Sequence, residues 1–505
     1  MELAGREETP RTEWMMLAVI AAATAVVHIA TNGKYGFHRD ELQVIDDARH
    51  LAWGYVTYPP VTPLIEHVAL ALFGTSLIGL RMFSVIAQAL AIVVTGMMAC
   101  ELGGGRLAQA VAALAVVISP LPMFEATEFQ YSTFDYLWWV LIAYCAIRLL
   151  KSEDARWWLG IGAAIGVGMM TKYTMGFLVA GVVVGVLLTP ARRYLKSPWL
   201  WAGAALSVLM FLPDLLWEAH RHFISLEFLQ HIHTRDVGEG RANGFIWGQF
   251  WVCANLVVAP IWLAGLVSYF AGRDAKRYRM LGWMYVVPLA MLFFMKGRDY
   301  YLAGAYPMLF AAGSVTGERW VAGLRAGWAR TVKAATFALM ALGGVGMAAI
   351  VIPVMPIDSP HNIAIKNNGD LREEIGWREM VAEVARIRDT LTPEQRAHLG
   401  ILATNYGEMG AVNLYGPEYG LPQAISGVNS AWYRRYGNPP PETLIVLGLS
   451  EHGIERHFGT CQPVGHNGNR YGIKNEESED HPIIYLCGAP IGGWPAFWSD
   501  FRYFG

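Results

Sequence analysis

Long apolar runs recur near residues 14–30, 82–101, 106–123, 133–150, 157–171, 174–189, 198–216, 246–270, 280–295, 301–317 and 331–354. A helix needs about 20 apolar residues to cross the hydrocarbon core of a bilayer. Backbone polar groups in lipid must bond within their own segment, so such runs fold as helices. The pattern predicts a polytopic α-helical membrane protein with about eleven transmembrane helices. Only 16% of the 505 residues are charged, against about a quarter in soluble chains. The 19 Trp and 22 Tyr suit aromatic belts at many membrane interfaces. A net charge of −2 gives no pull toward nucleic acid, and no nucleic-acid partner is expected. No small-residue cleavage site follows 14–30, which reads as a first membrane helix rather than a removable leader.

Lysine and arginine set the expected orientation. The loops holding Arg148, Lys151 and Arg156, then Arg192, Arg193 and Lys196, then Arg273, Lys276, Arg277 and Arg279, then Arg319, Arg325 and Arg330 are short and basic. Short basic loops stay cytoplasmic. The N-terminus is then cytoplasmic, in a multi-pass inner (plasma) membrane protein. The acidic or mixed loops, 34–60, 120–132, 218–244 and 296–299, fall on the outer side with the C-terminal tail. Residues 61–78 are apolar but interrupted by Pro63, Glu66 and His67, and read as a surface-lying helix. Composition turns polar after Pro356. The expected division is a transmembrane domain at 1–356, with its first outer loop at 31–80, and a small periplasmic or extracellular α/β domain at 357–505. In the latter, REEIGWREMVAEVARIRDTL has helical apolar spacing, while HLGILATN, ETLIVLGL and HPIIYLCG read as short buried strands. Cys461 and Cys487 lie in that domain and are disulfide candidates in an oxidising compartment.

The stretch KYGFHRDELQVIDDARHLAWGYVTYPP, 34–60, is polar, acidic and aromatic in an otherwise oily chain. As a helix from Asp40 it places Asp40, Gln43, Asp47 and His50 on one face and Leu42, Val44, Ile45, Ala48 and Ala52 on the other. Such a helix is expected to lie along a membrane surface with its acids toward water or a cavity. Ionisable groups at membrane ends are costly unless paired or hydrated. On the outer side these are Asp40, Glu41, Glu125, Glu128, Asp135, Lys172, Arg221, Lys296, Arg298 and Asp299. A one-sided set points to a cavity open to the outside. Its acids offer a base, and Lys172, Arg221, Lys296 and Arg298 could hold an anion such as a lipid phosphate. The plainer alternatives are that Asp135 caps a helix, Lys172 snorkels, Arg221 is a surface charge, and Tyr300, Tyr301 and Tyr306 form an aromatic belt. The pairs His220/His222 and His231/His233 are too weak a pattern for a metal site.

Taken together, HRDELQVIDDARHLAWGYVTYPP, GLRMFSVIAQAL, EFQYSTFDYLWW, MTKYT and KGRDYYLAGAYPML resemble bacterial glycosyltransferases related to the dolichyl-phosphate-mannose protein mannosyltransferases. These belong to the GT-C superfamily, as does the aminoarabinose transferase acting on lipid A. The resemblance covers about the first two thirds of the chain. The tail NYGEMGAVNLYGPEYGLPQAISGVNSAW resembles the outer domain often attached in the bacterial branch. The resemblance implies inverting transfer of a hexosyl or pentosyl group from a polyprenyl-phosphate donor at the outer face, with membrane lipids around it. The family's acid in the first outer loop, its catalytic base, matches Asp40, with Glu41 beside it. Its acid in the second outer loop region has candidates in Glu128 and Asp135. Its lysine after the fifth span matches Lys172, and its KxxxYYL..YP pattern matches Lys296, Tyr300, Tyr301, Tyr306 and Pro307. Relatives often carry His before the paired prolines, where this chain has Tyr58, so a substrate contact there is an expectation only. Arg221 is carried over more loosely.

Asp40 and Glu41 lie about 100° apart on a helix, so Asp40 is favoured as the base. The acceptor is left as lipid, glycan or protein. No cofactor is firmly expected, and a divalent metal is disfavoured. Three other readings compete: a secondary transporter, a sugar polymerase or ligase of the same broad architecture that differs in acceptor, and a non-catalytic receptor whose outer domain binds ligand. Against the transporter, the charges gather at one membrane face and no repeat relates the halves.

Overall fold

The computed structural model describes residues 10–505. The expected cytoplasmic N-terminus concerns residues 1–9, which lie outside the described residues. Two compact units emerge. One takes the chain up to Ala30, Arg81–Trp217 and His233–Ile352; the other takes Thr31–Leu80, Glu218–Ile232 and Pro353–Gly505. The units therefore do not follow a linear division at residue 356, because residues 31–80 fold with the C-terminal residues.

In the first unit, every apolar run read from the sequence contains helix. Among the described residues, five helices are long and apolar enough to cross a membrane: Trp14–Thr31, Leu77–Glu101, Tyr131–Ser152, Pro198–His220 and Ala326–Val351. The number rises to seven if each of two bent pairs is one span. That is below the expected number because polar residues and prolines break several runs. Met175–Leu188 turns by 98° into Pro190–Lys196, where the Thr189 hydroxyl accepts from the Ala191 amide at 3.2 Å. Phe245–Trp251 turns by 91° into Leu256–Ala271, where Asn255 accepts from the Val257 amide at 3.0 Å. Pro198–His220 and Ala326–Val351 leave Val208, Leu209, Leu342 and Val345 exposed. Exposed apolar surface on long apolar helices suits lipid and not water. Helix Ala259–Ala271 crosses Tyr306–Ala322 closely. A Cβ on Gly313 would come within 1.8 Å of the Ile261 carbonyl oxygen, so only glycine permits this approach. At the basic loops, Arg148 and Lys151 both reach Glu101 at 2.9 Å. Arg277 donates to the Leu150 and Lys151 carbonyls that end helix Tyr131–Ser152.

The second unit is built around a five-stranded sheet: β1 (Leu399–Ala403), β2 (Ala424–Ile425), β3 (Thr443–Leu447), β4 (Cys461–His466) and β5 (Ile483–Cys487), in the order β2-β1-β3-β5-β4. β2, β1 and β3 run parallel, while β5 is antiparallel to β3 and β4. β1 and β3 are buried almost throughout, which explains their unbroken apolar sequence. Leu402, Leu444, Val446 and Tyr485 pack with Trp494, Phe497 and Trp498 of the helix Trp494–Asp500 and with Phe501 just after it. Cys461 and Cys487 are joined in a disulfide across a paired position of β4 and β5.

The helix Arg39–Ala48 belongs to this unit. Sequence reading expects it on a membrane surface with its acids facing water or a cavity. The structure corrects this: residues 41–48 are all buried. Leu42 meets the helix Tyr406–Tyr415 so closely that a Cβ on Gly410 would lie 2.5 Å from the Leu42 carbonyl oxygen. Residues Val61–Phe73 form a helix of 13 residues, too short to span a bilayer.

Candidate functional site

Four acids lie on the helix Arg39–Ala48, and the structure uses them differently. Glu41 closes a capping box: its Oε2 accepts from the His38 amide at 2.8 Å, while His38 Nδ1 accepts from the Asp40 amide at 3.2 Å. Asp46 accepts from Asn413 at 2.7 Å and pairs with Arg434. Asp47 pairs with the same guanidinium at 3.0 Å and accepts from the Tyr58 hydroxyl at 2.8 Å. Burial pushes the Asp47 carboxyl up to about 7, although Arg434 and Tyr58 act to lower it. Asp40 alone stays half-exposed, and its Oδ1 accepts from the Tyr406 hydroxyl at 3.0 Å. Next to it, Arg39 pairs with Glu476 and lies over the Tyr406 ring.

Tyr58, expected to touch substrate, is buried and spends its hydroxyl on Asp47. The same unit holds Glu66, which sequence reading treats only as an interruption. Its carboxyl is buried, and both burial and the charge of Glu41 hold it well above the ordinary glutamate range.

The first unit gathers a second set. The Lys172 ammonium sits 4.4 Å from the Tyr301 ring centroid, 4.9 Å from Tyr131 and 5.2 Å from Tyr300. Three rings around one ammonium replace water with aromatic faces. Asp135 and Glu125 are the carboxylates whose charges act on it. Asp135 accepts from Thr174 at 3.3 Å. Glu125 accepts from Ser132 and Thr133, each at 2.8 Å. Glu128 is fully buried and accepts from Gln130.

Arg298 was expected to hold donor phosphate. Its guanidinium is instead gripped in a fork by Asp236, at 2.6 and 2.8 Å, which consumes the two-pronged geometry an anion would need. Tyr306 was expected to touch substrate. It is fully buried, bonded to Tyr285 at 3.1 Å and Gln249 at 3.0 Å, and belongs to the core. Lys296 is exposed just after the helix Ala275–Phe294. Arg221 belongs to the second unit, where it lies 4.1 Å over the Tyr433 ring. His231 and His233 sit two residues apart on a helix. Among the described residues no group of three or more His, Cys, Asp or Glu could hold a metal ion.

Tyr406, Asp236 and Arg434 escape sequence reading because each acts on a residue far along the chain. His38 escapes it because histidine is not among the usual N-cap residues, although the Glu three positions on was a usable signal.

The fold and the sequence both match known proteins. The structure superposes on ArnT from Cupriavidus metallidurans, solved bound to undecaprenyl phosphate, with a TM-score of 0.57 and 15% identity, covering 94% of this chain and 98% of that one. The two chains share this fold over nearly their whole lengths. In sequence, the family described as dolichyl-phosphate-mannose-protein mannosyltransferase matches residues 57–217. Two curated relatives come from Rhizobium johnstonii. Lipid A galacturonosyltransferase RgtD is 26% identical over 63% of this chain and 60% of its own length. Lipopolysaccharide core galacturonosyltransferase RgtB is 23% identical over 40% of this chain and 42% of its own. The match to each therefore spans less than two thirds of that relative. Over residues 57–217 the chain thus resembles the dolichyl-phosphate-mannose-protein mannosyltransferase family, and its fold is like that of ArnT.

Proposed function

We propose that this protein is an inverting glycosyltransferase. It moves a sugar from a polyprenyl-phosphate donor to an acceptor at the outer face of the membrane. The observation that carries the reading is the division of labour on the helix Arg39–Ala48. Glu41 is spent on a cap and Asp46 and Asp47 on Arg434, while Asp40 stays half-exposed with the Tyr406 hydroxyl on it. An acceptor hydroxyl attacks the anomeric carbon, its proton passes to the Asp40 carboxylate, and the carbon–oxygen bond to the phosphate breaks with its electron pair leaving on phosphate. Lys172 and Lys296 stabilise that departing charge. The tyrosine cage keeps the Lys172 ammonium poorly hydrated, which strengthens its pull on an anion.

The names of the curated relatives favour a saccharide carried on lipid as acceptor. Undecaprenyl phosphate in the ArnT structure supports the donor class. The test is transfer from a radiolabelled polyprenyl-phosphate sugar in proteoliposomes. The wild-type protein should label the acceptor and Asp40→Asn should not; transfer by Asp40→Asn at the wild-type rate would reject the reading.

A further inference from the structure

The second unit contains a cavity of about 480 Å³ that shares with the groups above only Arg221 and Tyr433. This volume suits a small ligand or one or two sugar rings. Arg221, Trp432, Tyr433, Arg435, Tyr436 and Trp498 line it. The rings are fixed by their neighbours. Trp432 Nε1 donates to the Trp498 carbonyl at 2.9 Å, and Trp498 Nε1 donates back to the Trp432 carbonyl at 3.2 Å. Tyr436 stacks on Trp494 at 4.8 Å, with their planes 21° apart. The guanidinium of Arg221, the residue directly after helix Pro198–His220, lies over the Tyr433 ring.

Consecutive arginines here do different jobs. Arg434 is committed to Asp46 and Asp47. Arg435 follows it at φ +64°, a conformation a side-chain-bearing residue rarely adopts. That twist turns Arg435 to line the cavity, where it is exposed and has no ion-pair partner among the described residues. Of the acids nearby, Glu227 pairs with Arg502 at 3.3 Å and Glu218 accepts from Ser225 at 2.5 Å.

We infer that this cavity binds an acidic saccharide, a sugar bearing a carboxylate or a phosphate. Pyranose rings present a C–H face that stacks on indole and phenol rings, and these rings are held rigid before any ligand arrives. Arginine grips carboxylate or phosphate through paired N–H donors. As an anchor for an acceptor the site rests on the transferase reading; as a binding site it stands without it, because binding is measured with no turnover.

The experiment uses the full-length protein in detergent and follows saturation-transfer NMR with three probes: methyl glucuronide, methyl glucoside and octyl glucuronide. Methyl glucuronide should bind saturably, and the uncharged glucoside roughly tenfold more weakly. Arg435→Gln and Arg221→Gln should each weaken the glucuronide several-fold, with an unchanged melting temperature for Arg435→Gln because that side chain holds nothing in the fold. Tighter binding of the octyl compound assigns the site to a glycolipid headgroup; equal binding assigns it to a soluble saccharide. Equal binding of glucuronide and glucoside, no saturable binding, or affinity unmoved in both variants would overturn the inference. The transfer assay on Asp40→Asn is independent of every one of these outcomes.

Discussion

The hydroxyl of Tyr406 donates to Oδ1 of Asp40 at 3.0 Å, joining residues 366 positions apart in the chain. A neutral donor on the proposed base fixes its direction without neutralising it. Asp40→Asn should lower kcat by about 10²–10⁴-fold with the fold intact, as loss of a general base does. Tyr406→Phe should lower kcat by a smaller factor and leave KM for the donor near wild type. Steady-state kinetics on both variants check this; full activity in Asp40→Asn would remove the aspartate from the mechanism.

Glu41 should behave oppositely. Its carboxylate caps a helix, so Glu41→Gln should cost about 1 kcal/mol of stability and lower the melting temperature. Any loss of kcat should be well below that of Asp40→Asn. A loss of kcat as large as that of Asp40→Asn would mean that Glu41 shares the chemistry.

Lys172 stands in its aromatic cage as the proposed phosphate contact. Lys172→Met fills much the same space without charge and should reduce kcat by about 10²–10³-fold if the ammonium stabilises the leaving group. Lys172→Arg should recover part of that rate. Equal activity in the wild type and Lys172→Met would reduce the lysine to a packing role.

Arg434 carries two buried carboxylates. Arg434→Gln leaves Asp46 and Asp47 facing one another in a dry site and should destabilise the second unit by about 3–5 kcal/mol. Adding Asp47→Asn should return part of that loss. Thermal unfolding of the single and double variants measures the coupling; strictly additive losses would contradict the shared pairing.

A pH effect follows from another buried pair. Glu408 and Glu477 are buried together in the second unit, where Asn405 donates to both. Burial holds both above the ordinary glutamate range, near 4.5. A raised acid keeps its proton in the folded state while the unfolded chain has already lost it, so stability falls as pH climbs through that interval. The melting temperature should therefore drop between about pH 5 and pH 8. Glu477→Gln should flatten the slope without abolishing it, since Asp47 acts with the same sign. A slope unchanged by Glu477→Gln would place the titration elsewhere.

The sequence is most legible where a pattern is local. Apolar runs foretell helices, the spacing of Trp377, Met380, Val381, Val384 and Ile387 foretells the helix Trp377–Asp389, and three apolar stretches foretell β1, β3 and β5. β2 has only two residues and β4 is polar and half-exposed, so neither announces itself. A helix starting near Asp40 is readable, but its burial is not: Asp46 and Asp47 look like a solvated face until Arg434 and Asn413 arrive from the far end of the chain. Arg298 illustrates the same limit. Its charge is visible, while its partner Asp236 is 62 residues away.

Because Asp46 and Asp47 wait for Arg434, and Leu42 waits for Gly410, the acid-bearing loop near the start of the chain has no finished fold during most of synthesis. A ribosome must deliver nearly the whole polypeptide before Asp40 acquires its setting. Premature termination upstream of residue 434 would thus yield a chain that still inserts its apolar helices yet carries an unassembled first loop, a product suited to quality-control proteolysis rather than to partial function.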